Sequence, residues 1–427
     1  MILQILIILL TARGLALILR RFGQPPVIGE MAAGFVLGPI VFGWLMPDWH
    51  LQLFAPDSLR EVNGLGQLGL VLFMFLIGAE LRVAKHVAGH VNEHVSRRAA
   101  GRQWRDAAQL AGLSLLLPML AGLALSPLLY PGMAPAGVAF WPFALFIGTA
   151  LSVTALPVLA RILKERDLVN TEPGQLALAA AAIGDVGAWL MLAVVLYAGT
   201  APASGWQSAL NAGLLALLCA FLFAVLRPWL ARAIQGRAAP VPLGTTALLL
   251  MGALLCAWLT ERLQVHAAFG AFIFGLCLPR DDRLLGELRR RVEPLVLLVL
   301  MPCFFAYAGL NTTSRAFAGT GIAILLLILG VAIAGKIVAG TLGARLARLP
   351  WRASLMVGAL MNTRGVVELV FLKVGLDAGV IGSEMFTVLF VTALITTLMT
   401  SPLLSLLMRG GAAGNTACAA RDTGDVL

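Results

Sequence analysis

The stretch LALAAAAIGDVGAWLML (residues 176–192) places one acid, Asp185, at the middle of a run of apolar and small side chains. A run of this length predicts a helix that crosses most of a bilayer core about 30 Å thick. An ionisable group at that depth costs at least about 2.5 kcal/mol and is therefore a candidate for function. Asp185 is the first candidate for a group that binds a proton or a cation. A carboxyl kept neutral for packing is the alternative.

The composition of the whole chain indicates the same class of protein. Of its 427 residues, 60% are hydrophobic and 12% are charged, whereas a soluble domain carries about 25% charged residues. Soluble, disordered and coiled-coil classes are thereby excluded, and an all-α polytopic membrane protein in contact with lipid remains. The net charge of +10 comes from short basic clusters between apolar runs, so we expect no nucleic-acid partner. The five cysteines are widely spaced, which predicts neither disulfides nor a zinc site.

Apolar segments of about 20 residues predict the number of membrane crossings. Thirteen segments are found, near residues 1–20, 26–44, 66–82, 107–130, 138–163, 174–199, 206–230, 242–263, 266–280, 292–311, 317–346, 352–376 and 383–408. With the N-terminus outside and the C-terminus in the cytoplasm, 24 Lys and Arg residues fall on the cytoplasmic side and 4 on the other. This asymmetry is what the positive-inside rule requires, and it supports the count.

The predicted organisation is one transport domain over residues 1–408. A basic loop at 83–106 faces the cytoplasm, and the Gly/Ala-rich tail at 409–427 is expected to be disordered. His86, His90 and His94 recur every four residues in the loop. They belong either to a solvated segment or to a helix face that binds a metal or senses pH.

Internal similarity predicts a repeat. Span two contains EMAAGFVLGP (30–39) and span nine contains HAAFGAFIFGLCLP (266–279), and in both a pattern of small residues ends at a proline. Residues 26–199 and 266–408 would then be two five-helix copies that enter the membrane in opposite senses. Inverted repeats of this kind are typical of secondary transporters whose site lies near the midplane. Helix packing through small residues alone produces similar patterns and is the alternative.

Polar residues interrupt two spans at corresponding positions of the copies. Span five reads GTALSVTALPVLARIL (148–163), and span twelve contains MNTRGVVELV (361–370). This pattern predicts two crossed, discontinuous helices, whose ends expose dipoles of both signs and whose free carbonyls coordinate a dehydrated cation. A plain kink with a structural Arg–Glu ion pair is the alternative. The candidate ligands and dipole-compensating residues are Thr149, Ser152, Thr154, Asn362, Thr363, Arg364 and Glu368.

Three further ionisable residues are candidates for the same region. Lys336, in IAGKIVAG of span eleven, is the lysine placed nearest the centre of a predicted helix, and we expect it to neutralise Asp185 while the site is empty. Snorkelling of Lys336 to the interface is the alternative. Glu30 and Glu80 lie within or at the edge of spans two and three, with either a supporting role at the site or a structural one.

The sequence resembles the monovalent cation:proton antiporter-2 family, nearest to its CHX-type exchangers and more distantly its KefC-type potassium efflux systems. The resemblance covers about residues 20–405 and rests on PPVIGEMAAGFVLGP, GTALSVTALPVLARILKE, AAAAIGDVGAWLM, HAAFGAFIFG, AGKIVAG and MNTRGVVELV in this order. It implies thirteen helices with an inverted repeat, a dimer domain beside a mobile core domain, and a homodimer. It also implies that Asp185 binds the ion, that Lys336 is the core lysine, and that Thr154 and residues 362–364 line the crossing.

The resemblance further implies proton-coupled antiport of Na⁺ or K⁺ by alternating access, with no cofactor beyond the transported ions and with Asp185 as the ligand of the metal cation. Relatives commonly carry a polar residue before this aspartate, where this chain has Gly184, so we expect electroneutral exchange. Coupled symport of a small organic solute is the alternative. No GxGD or HExxH motif occurs, so we expect no enzymatic activity. We expect no nucleotide-binding domain either, and the Arg-rich composition indicates a bacterial inner membrane.

Overall fold

The architecture is a bundle of α-helices. A computed structural model describes residues 1–90, 97–200, 205–234, 241–263, 265–279 and 281–419, and within these ranges it contains helices and connecting turns but no strand. The all-α fold class predicted from the sequence is therefore confirmed.

Twenty α-helices follow one another along the described residues. The first ten are α1 (Ile2–Arg20), α2 (Pro26–Leu37), α3 (Phe42–Leu45), α4 (Pro47–Leu53), α5 (Pro56–His90), α6 (Arg97–Met133), α7 (Phe140–Ser152), α8 (Leu156–Glu165), α9 (Glu172–Thr200) and α10 (Gly205–Phe221). The second ten are α11 (Arg227–Ile234), α12 (Leu243–Arg262), α13 (Ala267–Cys277), α14 (Asp282–Arg291), α15 (Glu293–Leu295), α16 (Met301–Leu310), α17 (Gly321–Leu346), α18 (Trp351–Met361), α19 (Val366–Asp377) and α20 (Ser383–Ala419). Short π-helical segments at Leu222–Leu226 and Val296–Leu300 lead into α11 and α16, and a 3₁₀ turn at Ser314–Phe317 precedes α17.

The long apolar helices are those of an integral membrane protein. Within the described residues, ten helical segments are long and apolar enough to cross a membrane. The shorter apolar helix α13 occupies the ninth predicted span, α7 and α8 together occupy the fifth, and α18 and α19 occupy the twelfth. The fifth and twelfth spans are thus interrupted, as their polar residues predict. The total of thirteen crossings, the inverted repeat and the orientation of the termini stay predictions.

Two segments that the sequence predicts to face the cytoplasm are described only in part. Within the basic loop, residues 83–90 continue α5 and residues 97–106 belong to α6, whereas residues 91–96, which include His94, lie outside the described residues. Helix α20 continues through residues 409–419, where the sequence predicted a disordered tail. Alanine has the highest helix propensity, and its frequency there offsets the glycines. Residues 420–427 lie outside the described residues.

Close packing around α17 encloses the middle of the bundle. A Cβ atom at Gly343 would lie 2.9 Å from the Cα atom of Leu110 on α6. On another side, a Cβ atom at Gly340 would lie 2.8 Å from the Cα atom of Gly358 on α18. Only glycine permits these backbones to approach so closely. Lys336, one turn before Gly340 on α17, is 0% exposed.

Candidate ion-binding site

The two interrupted helices contact each other where each is broken. Three residues separate α7 from α8, and four separate α18 from α19. The backbone N–H of Ala155 donates to the backbone oxygen of Thr363 at 3.0 Å. The hydroxyl of Thr154 donates to the backbone oxygen of Met361 at 3.1 Å. The unpaired backbone groups of the two breaks therefore satisfy one another, as helices that cross at their breaks require.

Local sequence explains why the helices break at these points. Pro157 lies in the first turn of α8, the position where its missing N–H and fixed φ are tolerated, so the helix restarts just before it. On the other side, a Cβ atom at Gly365 would lie 2.5 Å from the Cγ2 atom of Val158. Glycine at this position therefore allows the start of α19 to pack against α8.

Asp185 lies on α9 beside this crossing. The residue is 1% exposed, and neither carboxylate oxygen has a hydrogen-bond partner among the described residues. The carboxylate interacts electrostatically with the backbone N–H of Leu156, which begins α8, and with Lys336. A helix N-terminus favours negative charge, so α8 stabilises the ionised form of Asp185. Buried oxygens with no partner are suited to bind a cation or a proton.

Lys336 lies on α17 and points to the end of α7. Its ammonium donates to the backbone oxygen of Ser152, to the hydroxyl of Thr154 at 2.6 Å, and to both oxygens of Ser114 at 3.2 Å. Ser152 is the last residue of α7, so the ammonium lies at the negative end of that helix dipole. Within the described residues Lys336 forms no ion pair with Asp185. The direct neutralisation expected from the sequence is therefore not the arrangement in this structure.

Arg364 is a second buried cation at the crossing. Its guanidinium donates to the backbone oxygens of Ala150 at 3.0 Å and Leu151 at 2.8 Å, and it forms an ion pair with Glu368. Both charged side chains are 0% exposed. Together with Lys336, Arg364 binds the three last carbonyls of α7, so these carbonyls are not free to coordinate a cation as the sequence suggested. The geometry instead places positive charge where the α7 dipole is negative.

Two of the predicted ligands direct their hydroxyl groups back into their own helix. The hydroxyl of Thr149 donates to the backbone oxygen of Leu145 at 2.7 Å, and that of Ser152 donates to the backbone oxygen of Thr149 at 2.8 Å. Serine and threonine inside helices commonly bond in this way. Thr154, which lies in the break, is the one of the three predicted hydroxyls that reaches Lys336.

Helix α20 fixes the second break through residues that sequence reasoning missed. The amide of Asn362 donates to the backbone oxygen of Thr396 at 3.4 Å, and its own amide oxygen is buried without a partner among the described residues. The hydroxyl of Thr397 accepts from the backbone N–H of Arg364 at 3.1 Å and lies 2.8 Å from that residue's backbone oxygen. Repeated threonines in an apolar span were the available signal for these contacts. Ser114 was also missed, because a lone serine in a span carries no such signal.

The structure pairs the other two predicted acids with arginines. Oε1 of Glu30, on α2, lies 3.7 Å from Nη1 of Arg13 on α1. Oε1 of Glu80, near the end of the third predicted span, lies 2.8 Å from Nη2 of Arg289 on α14. Each acid is thus paired with an arginine of a neighbouring helix.

Comparison with known proteins gives relatives along almost the whole chain. The chain is 35% identical over 410 residues to the Na(+)/H(+) antiporter NhaS4 of Synechocystis, covering 94% of this chain and 95% of the relative. It is 34% identical over 419 residues to Cation/H(+) antiporter 17 of Arabidopsis thaliana, covering 96% of this chain and 48% of the relative. The chain therefore spans about half the length of the Arabidopsis relative it matches.

The fold and the family follow from two further matches. The solved sodium proton antiporter MjNhaP1 of Methanocaldococcus jannaschii is similar in structure, with a TM-score of 0.59 over 97% of both chains at 18% sequence identity. That likeness shows a shared fold. The family model described as sodium/hydrogen exchanger, transmembrane, matches residues 5–409. The chain therefore belongs to the transmembrane sodium/hydrogen exchanger family.

Proposed function

We propose that this protein exchanges a monovalent cation, Na⁺ or K⁺, for protons by alternating access. The observation that carries the proposal is the Asp185 carboxylate, which is buried at the crossing of two interrupted helices and has no hydrogen-bond partner among the described residues. The relatives named as Na(+)/H(+) and cation/H(+) antiporters support it. No observation favours the alternative of solute symport.

In the proposed mechanism, Asp185 binds either one proton or one cation. A protonated carboxyl has lost the charge that a buried cation needs, and a cation on the carboxylate excludes the proton, so the two ions compete for one site. The positive end of the α8 dipole stabilises the ionised carboxylate after one ion has left and before the other has bound. The competition alone couples the fluxes, and an inward proton gradient then drives the cation outward.

The remaining features of the proposal rest on sequence. Because Gly184 supplies no second acid beside Asp185, one cation is exchanged for one proton. Exchange is therefore electroneutral. We further propose that the protein acts as a homodimer in a bacterial inner membrane, with its N-terminus outside and its C-terminus in the cytoplasm. Membrane lipid surrounds it, and its proposed ligands are the transported cation and the proton.

Dequenching of a pH-sensitive dye in everted vesicles tests the proposal. Addition of Na⁺ or K⁺, but not choline, is expected to dequench the dye with the wild-type protein and not with Asp185→Asn. Glu165→Gln is the matched control, because it makes the same acid-to-amide change at a half-exposed ion pair on α8, and it is expected to keep exchange. Wild-type exchange by Asp185→Asn at equal membrane expression would refute the assignment of Asp185.

A further inference from the structure

The buried ammonium of Lys336 is held by neutral groups alone. Its acceptors are the backbone oxygen of Ser152, the hydroxyl oxygen of Thr154, and the backbone and hydroxyl oxygens of Ser114. These four oxygens form what we call the lysine cradle. An ammonium has three hydrogens, so four acceptors are enough to satisfy it without any contact with Asp185.

Hydrogen-bond directions show that Thr154 acts as an acceptor in this cradle. Its hydroxyl has a single hydrogen, and that hydrogen is donated to the backbone oxygen of Met361, which can only accept. The short contact of 2.6 Å to Lys336 is therefore a bond from the ammonium to Thr154. Since Met361 is the last residue of α18, Lys336 acts on the negative ends of both interrupted helices.

The contribution of Ser114 depends on a proline one turn further along α6. In a helix, the residue at position 118 would donate its N–H to the carbonyl of residue 114. Pro118 has no N–H, so this carbonyl lacks its usual partner. In the structure Lys336 donates to that carbonyl at 3.2 Å, and the Ser114 hydroxyl accepts at the same distance. Ser114 is 2% exposed, so this side of the cradle is buried. It depends on Ser114, which supplies the oxygens, and on Pro118, which leaves the carbonyl without its usual donor.

The charges around Lys336 decide where it goes when it leaves the cradle. Arg364 in the second break, Glu368 of α19 and Asp185 of α9 act on it electrostatically. Arg364 repels it, and the Glu368 carboxylate is already paired with Arg364 through one of its oxygens. From α6 and α7, the described contacts of Lys336 are with uncharged oxygens. The free carboxylate of Asp185 is thus the alternative partner of the ammonium.

We propose that Ser114, together with the carbonyl that Pro118 leaves free, is a positioning residue that holds Lys336 away from Asp185 and thereby sets how tightly Asp185 binds both its cation and its proton. The inference rests on the proposed antiport and deepens it. Each ion must find Asp185 unpaired, so the apparent affinity of each is reduced by the fraction of time that Lys336 occupies the carboxylate. Weakening the cradle raises that fraction and must lower both affinities by the same factor.

Two substitutions weaken the cradle at different acceptors. Ser114→Ala removes the hydroxyl, and Pro118→Ala restores an N–H that competes with Lys336 for the Ser114 carbonyl within α6. Loss of one hydrogen bond to a charged group changes the equilibrium by about tenfold, which corresponds to about 1.4 kcal/mol. We therefore expect each variant to raise the KM for the cation by up to about tenfold. The acid limb of the pH–activity profile is expected to move to lower pH by up to about one unit.

The same helix offers a matched control for each variant. Ser126 is a buried serine whose hydroxyl bonds only the backbone oxygen of Gly122 among the described contacts, so Ser126→Ala tests the loss of a buried hydroxyl. Pro127 is an exposed proline inside α6, so Pro127→Ala tests the loss of a helical proline. Both controls are expected to keep the wild-type KM and pH profile.

The measurement uses full-length protein in proteoliposomes, with the cation KM and maximal rate determined from about pH 6 to 9. A coupled shift of KM and acid limb in both cradle variants, absent from the controls, supports the inference. A lower maximal rate with unchanged KM and pH profile would show a merely structural role and overturn it. Absence of exchange by the wild type would refute the proposed function instead. In that case the cation concentration for half-maximal thermal stabilisation of the purified protein still tests the cradle, and equal values for wild type and both variants overturn it.

Discussion

The buried ion pair of Arg364 and Glu368 allows a sharp prediction about stability. The guanidinium has three partners inside the protein, namely the Glu368 carboxylate and the carbonyls of Ala150 and Leu151. Arg364→Met keeps a long apolar side chain but leaves an unpaired carboxylate in a site with 0% exposure. Arg364→Met/Glu368→Met removes both charges and leaves only the two carbonyls without their donor.

The two variants differ in which group is left buried and unsatisfied. Removing one partner of a buried ion pair costs about 3–5 kcal/mol, because the remaining charge is desolvated without compensation. In the double variant that charge is gone, and the loss of two hydrogen bonds from the arginine to backbone carbonyls costs about 1–3 kcal/mol. We therefore expect the double variant to be more stable than Arg364→Met by about 2 kcal/mol.

Unfolding of the purified protein in mixed micelles, titrated with a denaturing detergent, measures these differences. Glu368→Gln completes the comparison, since its amide oxygen still accepts from Arg364, and it should lie between wild type and Arg364→Met. A double variant that is no more stable than Arg364→Met would show that the charges do not interact as the geometry indicates.

Three further predictions concern positions outside the charged residues of the crossing. Gly340→Ala on α17 is expected to destabilise the protein by about 1–3 kcal/mol, because its Cβ atom would lie 2.8 Å from the Cα atom of Gly358. Gly330→Ala on the same helix has nothing within 4 Å of its Cβ atom and should stabilise the protein by up to about 1 kcal/mol. Equal melting temperatures for the two variants would contradict this account of the packing. Gly184 is buried, yet a Cβ atom there meets nothing within 4 Å, so Gly184→Asn should fold with unchanged thermal stability. Gly184→Asp adds a second acid beside Asp185 and should therefore make exchange respond to membrane potential in proteoliposomes. His50 packs against the rings of Phe42 and Phe54, and burial lowers its pKa; because the folded state then favours the neutral ring, this stabilisation is present above about pH 6.5 and is lost as the pH falls. His50→Phe should therefore flatten the acid-dependent rise in hydrogen exchange of residues 47–53, and an identical acid response in the variant would refute the role of His50.

The residues that interrupt a helix were readable from the sequence, because breaks depend on local chemistry. Pro157 and the run Asn362-Thr363-Arg364 mark the two breaks, and the structure has them at residues 153–155 and 362–365. The isolated acid at Asp185 was equally visible, since one charge in an apolar run has no structural need. These features require only the neighbouring residues and the cost of burying a polar group.

Partners that come from distant segments were not readable in this way. Lys336 was expected to face Asp185, but it bonds instead to Ser114, which lies 222 positions away in sequence. That contact depends on the close approach of α17 to α6 at Gly343 and on the carbonyl that Pro118 leaves free. Neither condition can be derived from the polarity of a single span. The hydroxyls of Thr149 and Ser152 were overestimated for the opposite reason, because each has a local acceptor within its own helix.

The two buried cations at the crossing differ in how firmly they are held, and this difference suits them to different roles. Arg364 bonds an ionised carboxylate as well as two carbonyls, so moving it would separate opposite charges in a medium that screens them weakly. Lys336 bonds only neutral oxygens, and a single point charge on a flexible stem can exchange one set of such acceptors for another. In this structure the crossing therefore contains one positive charge fixed by an ion pair and one held by neutral oxygens alone. The proposed mechanism, in which both ions bind at Asp185, needs both kinds, because the helix ends must stay satisfied while the charge at Asp185 changes.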